Sequence, residues 1–338
     1  MKERIYYWDN LKCLLIFFVV LGHFLIPVVK HGRSIQIVYY FIYMFHMPAF
    51  VFVSGQFAKY YMRKKVPNIQ KLFGFFILFV IFKGMMWGVN SLLEGEFVRF
   101  DLFSETGAPW YLFAMFIWYI FLPVFAELKA WAALTLAIGS GLIIGFADPI
   151  GPFLCLSRII VFFPFFLAGY YFHDQKIQVL TKVKCRCTAV LFLCILLVLI
   201  GLKLDIVTDW QALIYGNRPY MILDNIASGK YVMVVRFLWY LLAFAMTFAV
   251  MSLIPQKKVI ISYIGSRTLS IYILHRLIRQ VFSYYDGYQL ISVGGIGLLV
   301  FCVVISAIVL WALSGKRTFL LFQSVFKFKY KIFLNKEY

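Results

Sequence analysis

The chain has 338 residues, 63% of them hydrophobic and only 14% charged, where an ordinary soluble domain is about 25% charged. That balance excludes a soluble globular protein, and apolar runs that do not alternate with polar residues exclude a transmembrane barrel. The net charge of +19 would suit nucleic acid, but its placement along the chain points to a lipid bilayer instead.

Runs of about 20 apolar residues predict helices that cross a membrane. Ten are expected, at roughly 9–27, 36–57, 72–93, 109–126, 130–147, 155–172, 187–203, 230–254, 268–284 and 290–313. Segments 58–71, 173–186, 255–267 and 314–338 hold 18 Lys and Arg against two acids, Asp174 and Glu337. Segments 27–34, 94–108, 148–154, 204–229 and 284–289 hold four against nine acids. By the positive-inside rule the first set is cytoplasmic, and both termini with it. The expected fold class is therefore all-α: a polytopic integral membrane protein of about ten transmembrane helices. Residues 1–313 read as one membrane domain. Residues 314–338 read as a basic, aromatic tail lying at the inner membrane surface. Lys2 and Arg4 precede an apolar run much as in a signal peptide, but no small-residue cleavage pattern follows, so the run reads as the first helix.

An ionisable side chain inside lipid costs several kcal/mol or needs a partner, so each one is a candidate for function. The first span, WDNLKCLLIFFVVLGHF, carries Lys12 and His23. Eleven residues make three helical turns plus about 20°, so the two share a face about 16 Å apart along the axis. Asp9, at i−3, is placed to pair with Lys12. Lys12 lies at the cytoplasmic edge, where it can meet phosphates. His23 lies toward the outer half, where a neutral imidazole can take a proton from a hydroxyl.

In the second span, FIYMFHMPAFVFVSG, His46 sits beside Pro48, which should loosen the helix, and Ser54-Gly55 allows close helix contact. Lys83 and Arg236 have no context that raises them above structural or interfacial roles. Trp110 in APWYLF reads as an interfacial membrane anchor. SRIIVFFPFFLAGYY places Arg158 near the outer end of the sixth span, with a break expected at Pro164 and a close approach at Gly169. IGSRTLSIYILH ends on His275, with Arg276 and Arg279 following. Ser266 and Thr268 are candidate caps of that helix. Arg279 is at i+4 from His275, and the pair can clamp an anion. The six cysteines read as packing residues, and Cys185-x-Cys187 has no second pair at zinc spacing, so no metal site is expected. Proton and cation pumps generally need intramembrane carboxylates, and Asp9 alone is available. The basic interior suits an anionic ligand.

Taken in order, Lys12-x10-His23, FHMPAFVFVSG, PWYLFAMF, RIIVFFPFFLAGYY and LSIYILH resemble the integral-membrane acyltransferases of acyltransferase family 3, in particular the fucose 4-O-acetylase-like branch. The resemblance runs from about residue 4 to 313, and five motifs in register carry it. It implies transfer of an acyl group, mostly acetyl, from cytoplasmic acetyl-CoA to a sugar hydroxyl of a cell-surface glycan or lipid-linked saccharide, in the cytoplasmic (inner) membrane. The family's marked basic residue and histidine fall on Lys12 and His23. Where the commoner pattern has Arg-Gly, this chain has Lys12-Cys13, which keeps the charge but loses bidentate phosphate geometry.

The residues and the resemblance meet in one expected mechanism. The donor's phosphates rest on Lys12, Arg276 and Arg279, with His275 beside them, and the thioester reaches His23. His23 deprotonates the acceptor, while Arg158 or His46 stabilises the oxyanion. Acyl-CoA is the donor substrate, and no permanently bound cofactor is expected. A covalent route through Ser54, Ser157 or Cys13 has no clear histidine partner in sequence. The rival reading is a transporter or flippase of an anionic or glycolipid substrate, which inverted repeats would support; none is evident.

Overall fold

With no water in the bilayer core to satisfy N–H and C=O groups, an apolar run closes its hydrogen bonds within itself, and each of the ten stretches folds as a helix. The computed structural model describes residues 5–62, 69–104, 107–147, 153–223, 231–289 and 294–327. The ten helices are α1 (Tyr6–Leu25), α2 (Arg33–Met62), α3 (Ile69–Glu94), α4 (Trp110–Ala126), α5 (Ala130–Ile143), α6 (Leu156–Tyr171), α8 (Val183–Leu202), α11 (Val232–Leu253), α13 (Thr268–Tyr284) and α14 (Gly295–Leu313). Between them lie the short helices α7 (Lys176–Leu180), α9 (Leu204–Asp209), α10 (Gln211–Tyr215) and α12 (Ile261–Gly265). Among the described residues the sole β feature is an isolated bridge between Ser104 and Phe153.

Among the described residues, six helical stretches are long and apolar enough to cross a bilayer: α1 with its 3-10 extension to His31, α2, α3, α8, α11 and α14. The helices α4, α5 and α6 are apolar but shorter, and α13 has 17 residues. Burial sorts centre from periphery. The hydrophobic window of α2 is 78% buried, whereas that of α8 is 11% buried and shows its apolar side chains to the surroundings. Around α2 pack α1, α6, α8, α11 and α14, and α1 also packs on α12 and α13.

Two glycines set a close crossing of α2 and α6. A Cβ at Gly55 of α2 would lie 1.8 Å from the Phe166 carbonyl oxygen, and one at Gly169 of α6 would lie 1.8 Å from that of Phe52. The backbones touch there because neither residue has a side chain. The break expected at Pro164 does not occur: it and Pro48 both lie inside continuous helices. Pro164 leaves one carbonyl without a helical donor. On either side of it, Ile159 and Val161 accept from Trp118 Nε1 at 2.9 Å and from the Tyr240 hydroxyl at 2.8 Å. Near the N-terminus of α1, Asn10 donates to the carbonyls of Pro255 (2.8 Å) and Lys257 (2.9 Å) and accepts from Ser262 (2.5 Å). This buried network fixes α1 against the segment leading into α12.

The tail is helical over α15 (Lys316–Lys327), which packs on α3 and α13. Phe326 meets Phe75 edge-to-face, with ring centroids 5.1 Å apart. Residues 328–338 lie outside the described residues. The segment 204–223, expected to belong to an outer loop, is not a plain loop. It folds as α9, α10 and a turn at Tyr220–Leu223.

Candidate active site

A cavity of about 420 Å³ opens between α1, α2, α6, α10 and α13. Five of the seven residues singled out in the sequence line it: His23, His46, Arg158, Arg276 and Arg279. His275 does not line it. It is fully buried behind His23, with the two rings 5.1 Å apart.

The histidines are held in different ways. His46 Nδ1 lies 2.9 Å from the Ile42 carbonyl, and His275 Nδ1 lies 2.8 Å from that of Ile271, each one turn back along its own helix. A carbonyl oxygen can only accept, so Nδ1 carries the proton in both rings and Nε2 keeps its lone pair. His275 Nε2 and His23 Nδ1 are buried without a hydrogen-bond partner. His23 is therefore oriented by packing, and its ring faces a neighbour that can accept a hydrogen bond.

Arg158 is anchored through backbone. Its Nε donates to the Tyr215 carbonyl at 3.3 Å, Nη1 reaches that of Gly107 at 3.5 Å, and the guanidinium lies 5.5 Å from the Trp110 ring centre. Trp110 is thus a buried wall of the cavity rather than the interfacial anchor expected from its place at a helix start. Ser157 donates to the Gly216 carbonyl at 2.8 Å. Gly216 has φ +63°, a left-handed turn that favours glycine, and a Cβ there would sit 2.9 Å from Val161. This turn returns Tyr215, Asn217 and Arg218 to the cavity.

Lys12 stands apart. It lines a second, smaller cavity of about 180 Å³, with Lys71, Ser54, Phe57, Tyr111 and Thr268 among its walls. The expected pair with Asp9 is present at 2.9 Å, and the ammonium also lies 4.7 Å from the Phe57 ring centre. The Lys71 ammonium lies 4.9 Å from that of Tyr119. The three cations expected to hold donor phosphate are therefore divided, with Lys12 in one cavity and Arg276 and Arg279 in the other. Tyr272 lines both cavities. Its hydroxyl donates to the Ala108 carbonyl, and its ring lies 5.3 Å from Tyr111, whose hydroxyl is 2.6 Å from Ser54 Oγ.

Basic side chains line both cavities and histidines the larger one, and comparison with known families agrees with that arrangement. A family model described as an acyltransferase domain matches residues 5–315. The chain belongs to acyltransferase family 3. No curated protein and no solved structure matched it.

As a member of that family the chain is a membrane O-acyltransferase. Several residues lining the cavities of this family 3 acyltransferase were not singled out in the sequence: Tyr43, Gln211, Tyr215, Asn217, Arg218, Tyr272 and Lys71. Arg218 carried a signal, being the one cation of an otherwise acidic outer segment. Lys71 was hidden within a run of loop charges. The three nucleophiles weighed for a covalent route are each occupied or enclosed. Ser54 donates to the Phe50 carbonyl at 2.8 Å, Ser157 bonds Gly216, and Cys13 is buried. Ser266 and Thr268 do not cap α13, whose N-cap is Arg267. Lys83 has a structural role, its ammonium binding the carbonyls of Asp101 (2.8 Å), Leu102 (3.3 Å) and Ser104 (2.6 Å).

Proposed function

We propose that this O-acyltransferase moves an acetyl group from cytoplasmic acetyl-CoA to a hydroxyl of an extracytoplasmic glycan, as in the fucose 4-O-acetylase-like branch. Ten crossings, with α4, α5, α6 and α13 spanning as well, put both termini and Lys12 in the cytoplasm and His23 toward the outer face. The observation that carries this reading is the pair of cavities meeting at Tyr272, with a cationic mouth at Lys12 and Lys71 and a histidine-lined end at His23.

The donor's phosphates rest on Lys12 and Lys71, and the pantetheine arm runs along α1 past Tyr272. The acceptor enters the larger cavity, where Trp110 and Tyr43 offer faces to a sugar ring and Gln211 and Asn217 offer hydrogen bonds to its hydroxyls. His23 takes the proton of the attacking hydroxyl, which adds to the thioester carbonyl. The oxyanion is met by Arg158, the C–S bond breaks, and the CoA thiolate receives the proton from His23. His275 acts as a positioning residue. Its ring lies 5.1 Å from that of His23, and a small rotation of either ring would let its unpartnered Nε2 accept from a His23 N–H and turn the other His23 nitrogen to the cavity.

The test is turnover of radiolabelled acetyl-CoA by membranes holding equal amounts of wild type and His23→Ala. Loss of a general base lowers kcat by about 10²–10⁴. Wild-type turnover that survives the substitution would remove His23 from the chemistry. Wild type that neither turns over nor binds acetyl-CoA would return the chain to the transporter reading.

A further inference from the structure

The charge of the larger cavity goes beyond what transfer to a neutral sugar requires. Four guanidinium groups line it, from Arg158, Arg218, Arg276 and Arg279, and no carboxylate does so among the described residues. They come from three separate parts of the chain: α6, the turn after α10, and α13. Like charges around one space raise each other's free energy, so an anion that shares it is stabilised there. Arg158 is committed to two backbone carbonyls, which makes Arg218 and Arg279, with Arg276 between them in the lining, the guanidinium groups best placed to meet a ligand. Arg279 Nε is buried and has no hydrogen-bond partner, and Arg218 stands exposed at the rim. A guanidinium presents a planar fork that matches carboxylate and phosphate oxygens.

The donor's own phosphates do not account for these arginines. The smaller cavity already offers Lys12 and Lys71 at the far end of the path, and α1 puts about 16 Å between Lys12 and His23. A donor whose thioester lies at His23 has its phosphates a pantetheine length away.

We infer that the acceptor is an anionic saccharide, whose carboxylate or phosphate is held by Arg218, Arg276 and Arg279 while a neighbouring hydroxyl reaches His23. This rests on the transferase reading and names its acceptor class. The carboxylate would come from an acidic sugar, and the phosphate from the glycosyl phosphate of a lipid-linked saccharide.

The experiment measures binding without donor, to the full chain in lipid nanodiscs, of three tritiated oligosaccharides. One is neutral, one has a uronic acid in place of one sugar, and one is the glycosyl phosphate of the neutral chain. One or both charged saccharides should bind at least tenfold tighter than the neutral one, and the arm that does so identifies the source of the charge. Arg218→Gln, at an exposed rim where folding is not at stake, should weaken that binding by about ten- to a hundredfold, with partial recovery in Arg218→Lys. Arg279→Gln should do the same, with its thermal melting checked against wild type. Equal binding of neutral and charged saccharides, or no detectable binding of either charged one, would overturn the inference. So would displacement of the charged saccharide by free CoA, since the arginines would then belong to the donor. Acetyl-CoA turnover is assayed separately. Its absence would defeat the transferase reading while the saccharide preference is still decided by binding.

Discussion

At the scale of single residues, the site depends on which nitrogen of each imidazole is already engaged. His46 and His275 commit Nδ1 to a carbonyl of their own helix, whereas His23 is half-buried with its Nδ1 unbonded. His23 is thus the ring whose orientation depends on its neighbour. We expect His275→Ala to lower kcat by about 10- to 100-fold while leaving the KM for acetyl-CoA unchanged, because the proposed site for the donor's phosphates is the other cavity. A steady-state titration of acetyl-CoA separates the two parameters. A matching rise in KM would mean that His275 contacts the donor instead. Lys12→Ala should show the opposite pattern, raising KM for acetyl-CoA about tenfold, the cost of one charge-assisted contact, with kcat much less affected. His23, His46, Arg158, Arg276 and Arg279 were legible in the sequence because a charge in lipid stands out against apolar neighbours. The split between Lys12 and the α13 arginines was not, since no spacing on one helix says how far along its neighbour another charge lies.

At the scale of elements, the α2–α6 crossing holds the site's wall in place. His46 lies on α2 and Arg158 on α6, and the two helices meet at Gly55 and Gly169. A side chain at either glycine would drive into a backbone carbonyl, which cannot move aside as a flexible side chain can. Gly169→Leu should therefore destabilise the protein by about 3 kcal/mol or more, seen as a lower melting temperature in detergent and reduced yield of folded protein. Gly139→Ala is the contrast. A Cβ there meets nothing within 4 Å, and removing a glycine from a helix interior should be neutral or stabilising by about 0.5–1 kcal/mol. Similar losses from both changes would mean that helix propensity, not the crossing, sets the effect. FVFVSG and FFLAGYY each marked a point of close approach in sequence through a small residue, but nothing in the sequence said that the two meet. The α9–α10 segment was harder to read. Its pieces are too short for a periodic signal, and its return to the cavity depends on the turn at Gly216. Trp110 was misread for a related reason: a tryptophan at a helix start looks the same whether it faces lipid headgroups or a cavity.

At the scale of the whole molecule, the apolar runs made the all-helical architecture legible before any coordinates. They did not say which helices are central. The nearly exposed α8 and the largely buried α2 are alike in sequence, because lipid and protein interior favour the same side chains. What the assembled structure adds is two cavities that share Tyr272 as a wall, lysines lining one and histidines and arginines the other, and the proposed function gives that pair a direction across the bilayer. Direction is the central claim, and sided transfer tests it most directly. Purified protein would be reconstituted into sealed vesicles, with radiolabelled acetyl-CoA outside and the acceptor glycan either enclosed or outside with the donor. Labelled glycan should form when the two substrates are on opposite sides of the bilayer and not when they share a side, whichever way each molecule is inserted. Transfer with both substrates on the same side would contradict the account.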